Sequence, residues 1–80
     1  MRLRHIKQGD VFFEEDCGRT VLLEALETAR EVDDAKTGRH GHECRARVLR
    51  GDTCMADKHG VLTLFECHNP RGYGLNLYLA

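Results

Sequence analysis

Glycine and aspartate cut this chain into short pieces at nearly regular intervals. Gly9-Asp10 precedes Val11-Phe12-Phe13-Glu14, and Gly51-Asp52 follows Val48-Leu49-Arg50. Lys58-His59-Gly60 precedes Val61 to Phe65, and Asn69-Pro70-Arg71-Gly72-Tyr73-Gly74 precedes Leu75 to Leu79. Turn residues recurring at this spacing predict short strands in an all-β domain. The pieces between them agree. Cys44, Ala46 and Val48 alternate with Arg45, Arg47 and Leu49, which places small apolar groups on one strand face and arginines on most of the other. Leu75, Leu77 and Leu79 alternate with Asn76 and Tyr78 in the same way. Val61 to Phe65 is a short apolar run, as in a strand with both faces partly covered.

One segment points elsewhere. In Val21 to Lys36, the residues Leu22, Ala25, Leu26, Ala29 and Val32 recur at helical spacing among good helix formers. The same segment also reads as a long strand that bends in the middle, because Val21, Leu23, Ala25 and Ala29 share a parity that Glu27 interrupts. Local propensity favours the helix, and tertiary context can override it.

At 80 residues the chain forms a single domain, 1–80, with a thin core. Domains of this size commonly gain stability from a metal, a disulfide or a second copy. Twelve basic residues against thirteen acidic ones give a net charge of −1, which argues against a dedicated nucleic-acid or membrane-surface protein and leaves little self-repulsion. No apolar run of signal-peptide or membrane-span length follows the basic opening residues, so the expected location is cytoplasmic and the four cysteines are expected to be reduced.

Taken in order, the segments resemble a small barrel of the Src-homology-3 (SH3) type. An opening strand follows the Gly9-Asp10 turn, a long bent strand runs from Arg19 to about Asp33, and further strands cover Glu43–Arg50, Val61–Glu66 and the C-terminal segment. Gly9-Asp10-Val11-Phe12-Phe13-Glu14 and Tyr73-Gly74-Leu75-Asn76-Leu77-Tyr78 also resemble small proteins encoded on phages and integron gene cassettes. That resemblance implies an extended second segment and supplies no catalytic residue.

Few residues propose chemistry. His40, His42 and Cys44 share a face on an extended strand, and Cys67 on a neighbouring strand would complete a four-ligand zinc set. No C-x-x-C pair accompanies them, and the competing reading is a polar loop running into a buried Cys44. A cysteine nucleophile needs a histidine base beside it. Cys67 and His68 are strand neighbours that point apart, and acidic residues surround Cys17 and Cys54. Glu14-Glu15-Asp16 and Asp33-Asp34 read as a solvated rim. Arg45 and Arg47 form a strip that either grips an anion or pairs with Glu24, Glu27 or Glu31 across a sheet; cross-strand pairing is the favoured use. Tyr73 and Tyr78 form a small aromatic surface suited to peptide or partner recognition.

The expectation is therefore an all-β, five-stranded SH3-like barrel, with an α+β domain carrying one helix at about 21–35 as the alternative. Its expected role is a non-enzymatic binding or protein-interaction module without cofactor. It is expected to form a homodimer and to contact a protein or peptide partner through Arg45, Arg47, Tyr73 and Tyr78. A zinc protein using His40, His42, Cys44 and Cys67 and a nucleic-acid binder using the arginine strip are the competing roles.

Overall fold

A computed structural model describes residues 1–16, 18–68 and 74–80. Six strands and one short 3-10 turn, Leu3–His5, make up its regular structure. The strands are β1 (Val11–Asp16), β2 (Arg19–Ala25), β3 (Arg30–Asp34), β4 (Arg39–Arg50), β5 (Val61–Cys67) and β6 (Asn76–Leu79). All neighbours are antiparallel, and the sheet curls into a half-barrel. No helix among the described residues is long and apolar enough to cross a membrane.

The segment that propensity assigns to a helix is extended. Val21, Leu23 and Ala25 are buried at 4%, 0% and 2% exposure, while Leu22 between them is only half-buried. That is a period of two, and burial against Phe12 and Ala46 overrides the helical spacing. The α+β alternative falls here, and the five expected strands become six, because the long bent strand breaks in two. Both halves lie along one edge of β4: Ala25 pairs with Ala46, and Arg30 with Glu43. Four residues, Leu26 to Ala29, therefore stand opposite two, Cys44 and Arg45.

Such a break strands backbone groups, and each needs a partner. The Leu26 amide donates to the Arg45 carbonyl at 2.9 Å and the Ala29 amide to the Ile6 carbonyl at 3.0 Å. Glu27 supplies the rest. Its carboxylate accepts the Arg45 amide at 2.9 Å, and its carbonyl accepts the Cys44 thiol at 3.2 Å. Glu27 is thus a side-chain substitute for a missing rung of the ladder.

The remaining strands run β4-β2-β1-β6, with β5 on the other edge of β4. Among the described residues β5 and β6 do not pair, so the curl stays open between them. The N-terminal segment fills the gap with Leu3 and Ile6, both at 0% exposure. Phe12, Leu23 and Cys44 complete the most deeply buried set. Gly41 marks the tightest point between β4 and β5. A Cβ there would lie 2.1 Å from the Glu66 carbonyl oxygen, so only glycine lets the two strands approach.

Candidate functional site

The outward face of the sheet is set by the parity of β1. Phe12 and Glu14 point inward; Val11, Phe13 and Glu15 point outward. Phe13 pairs in register with Leu22 of β2 on one side and Tyr78 of β6 on the other. Leu22 in turn pairs with Arg50 of β4, where a register shift leaves Leu49 as an extra residue. The result is a row Tyr78–Phe13–Leu22–Arg50 across four strands. Tyr78 is 53% exposed and Leu49 44%; Phe13 and Leu22 are half-buried. Polar residues flank the row on one side, Asn76–Glu15–Thr20, and Glu24–Arg47 flank it on the other.

Of the expected contact residues, Tyr78 lies in this row and Tyr73 lies outside the described residues. Arg45 and Arg47 are exposed on the same outward face, and each meets an acid: Arg47 one on β2, Arg45 one in the break between β2 and β3. Arg47 meets Glu24 at 2.5 Å, and Arg45 approaches Glu27 at 3.9 Å. Further along the face, Arg30 and Arg39 share Glu43, whose carboxyl is held below its ordinary range mainly by the hydrogen bond from Arg30. The Arg39 guanidinium also sits 4.3 Å from the centre of the Phe65 ring. Arg47 and Arg30 are thus engaged across neighbouring strands, Arg45 reaches the break between β2 and β3, and Arg39 meets Glu43 along β4 itself. Arg50 differs: among the described residues it has no ion-pair partner, and neither does Glu15.

The zinc set does not assemble. His40 Nδ1 pairs with Asp33, and the His42 ring stands edge-on to His68 at 5.2 Å. Cys44 is buried, and burial, with the Glu27 charge second, pushes its thiol pKa up to about 11. A neutral thiol donating to a carbonyl is a poor nucleophile. Cys67 is exposed on the opposite face of β5 from the buried Leu64 and Glu66. Among the described residues no three side chains of ligand type gather in a metal-binding arrangement.

One carboxylate, Glu14, contradicts the expectation that Glu14-Glu15-Asp16 forms a solvated rim, and a second, Glu66, is buried as well. Glu66 is 4% exposed on the inward face of β5, in line with Leu62 and Leu64. It accepts Arg2 Nε at 2.6 Å, the Leu3 amide at 3.1 Å and the Leu75 amide at 3.1 Å. Burial alone would raise its pKa; these donors outweigh it and hold the carboxyl below its ordinary range. Glu14 is 9% exposed between its register partners Val21 and Leu77, both buried. Desolvation, with Asp16 nearby, raises its pKa. The signal for both acids is parity: Glu14 shares it with Phe12, and Glu66 with Leu62 and Leu64.

Comparison with known protein families, with characterised proteins and with solved structures finds no match to this chain.

Proposed function

We propose that this chain is a cytoplasmic, non-enzymatic protein-interaction module, and that its first partner is a second copy of itself. The observation that carries the reading is the outward row Tyr78–Phe13–Leu22. Three apolar side chains stand in register on the solvent side of a sheet, bordered by Asn76, Glu15 and Thr20 on one side and by Val11, Glu24 and Arg47 on the other. An apolar centre with a polar rim is the anatomy of a protein interface.

Charge selects the second copy as the occupant. Arg50 ends the row on β4, and Glu15 flanks it beside Phe13 on β1, one strand short of its other end. Two copies packed face to face with their rows reversed bring Arg50 of each toward Glu15 of the other. The near-zero net charge adds little repulsion. Strand spacing makes the four-strand patch only about 15–20 Å across. That is well short of the ~800 Å² per partner of a standard interface, so the dimer is weak and concentration-dependent. Resemblance to mobile-element SH3-like proteins is compatible with a small interaction module of this kind.

Sedimentation equilibrium over a wide concentration range tests the reading. The wild-type chain should pass from monomer to dimer. Tyr78→Glu should abolish the dimer, as should Arg50→Glu or Glu15→Arg alone, and the Arg50→Glu/Glu15→Arg pair should restore it. A monomer at every concentration, or a dimer indifferent to Tyr78→Glu, overturns the proposal.

A further inference from the structure

Three of the chain's five histidines come together where β3, β4 and β5 meet, and the other two, His5 and His59, lie elsewhere. His42 shares the inward parity of Cys44 and Ala46 and pairs in register with Glu66 of β5 and Glu31 of β3. His40, two residues earlier on β4, lies on the same face and pairs with Asp33 of β3. The His68 amide donates to the His40 carbonyl at 3.0 Å, which sets His68 opposite His40 on the β5 side. Cys67, the expected ligand from this strand, faces the other way, and His68 stands in its place.

The His42 and His68 ring centres are 5.2 Å apart, with the ring planes at 83°. Two imidazoles on one tetrahedral ion, each nitrogen about 2.0–2.1 Å from it, hold their ring centres about 5 Å apart. The pair already has the separation of two ligands on a shared ion. His40 carries the arrangement that orients a metal-binding histidine: its Nδ1 is taken by the Asp33 carboxylate, which leaves Nε2 as the free nitrogen. Positions two apart on a strand face, or opposite across a ladder, are about 5–7 Å apart, a span that imidazoles bridge through one ion. As the side chains stand, no three donors point at one centre among the described residues. Closing the set takes a turn of His40, and packing does not oppose it: its side chain is 50% exposed and that of Asp33 71%. The one cation at this patch, Arg2, is committed to Glu66 and to the Cys67 and His68 carbonyls.

We propose that His40, His42 and His68 form a three-imidazole site for a divalent transition metal ion, with Zn2+ as its occupant and Asp33 as the positioning residue behind His40. Imidazole suits such ions, and water fills the fourth position of a tetrahedral set. The ion would clip the far end of the β4–β5 ladder, the kind of brace a domain with a thin core gains from.

Zn2+ titration of the full chain tests this, followed by calorimetry and by the ring-nitrogen shifts of all five histidines. The expected result is one ion per chain, with shifts at His40, His42 and His68 and none at His5 or His59. His68→Ala should weaken binding more than tenfold and Asp33→Asn about tenfold, while the His5→Ala/His59→Ala pair should bind as the wild type does. All three changed positions in the first two variants are solvent-facing or exposed enough to leave the fold intact, and far-UV circular dichroism checks that they do. No saturable binding, equal shifts at all five histidines, or unchanged affinity in His68→Ala or Asp33→Asn overturns the proposal. The same titration in Tyr78→Glu should give the same result, which keeps this site separate from the proposed dimer.

Discussion

Glu66 and Arg2 meet at 2.6 Å on the side of the half-barrel where, among the described residues, β5 and β6 do not pair. The carboxylate also takes the Leu3 and Leu75 amides, so one side chain fastens the N-terminal segment and the approach to β6 onto β5. It does by side-chain hydrogen bonds what a β5–β6 ladder would do by backbone. Arg2 reaches further, to the Cys67 and His68 carbonyls at 2.8 and 3.1 Å.

Breaking that fastening should be costly. Glu66→Gln leaves Arg2 without its counter-charge and Glu66's donors poorly matched, so unfolding by urea should show a loss of about 2–4 kcal/mol. The pH dependence follows from the depressed pKa. The stabilisation is fully present above the ordinary glutamate value of 4.5 and drains away as pH falls through the lower folded value. In Glu66→Gln that acid-side loss should shrink.

Glu14 should behave in the opposite sense. Its pKa is raised, so the favourable neutral form is fully present below 4.5 and its contribution is lost as pH rises through the folded value. Glu14→Gln should therefore stabilise the chain at neutral pH by about 0.5–1 kcal/mol, a usual size for a single stabilising change. The gain should vanish in acid. Paired urea titrations at neutral and acidic pH check both signs.

Much of the fold could be read from the residues. Alternation in Cys44–Val48 placed β4 and its outward arginines, and the glycine-aspartate turns placed β1 and β5. The break at Leu26–Ala29 could not be read, because it depends on how Glu27 meets the Arg45 amide some 18 positions away. Helical spacing in Leu22, Ala25, Leu26 and Ala29 misleads for the same reason: contacts distant in sequence decide the outcome. Both buried acids share parity with core residues, Glu14 with Phe12 and Glu66 with Leu64; reading Glu14 as solvated beside a turn hides it, and Glu66 draws no expectation at all. The row Tyr78–Phe13–Leu22 needed the pairing of three strands, which no single segment contains.

Gly41→Ala should destabilise by about 1–3 kcal/mol or more, as overpacking does. Its new methyl would meet the Glu66 carbonyl, backbone that cannot swing aside. A thermal melt of the variant beside Gly51→Ala, whose nearest contact is a less severe 2.9 Å, ranks the two; Gly41→Ala should lose more through steric overlap, while Gly51, at φ 98°, adds backbone strain.

Thiol reactivity should separate the cysteines. Cys54 and Cys67 are exposed and should alkylate promptly near neutral pH. Cys44, buried and with its pKa pushed up to about 11, should react only on unfolding. Peptide mapping after a timed iodoacetamide pulse reads each site.

The proposed outward row depends on the register of β1, because a slip of one residue would turn Phe13 to the core and Glu14 to solvent. Nuclear Overhauser contacts between side chains measure that register directly. The expected spectrum links the Phe13 ring to Tyr78 and Leu22, and Phe12 to Leu23. Contacts from Phe13 to Leu23 and the buried core, with Phe12 linked to Tyr78 and Leu22, would contradict it.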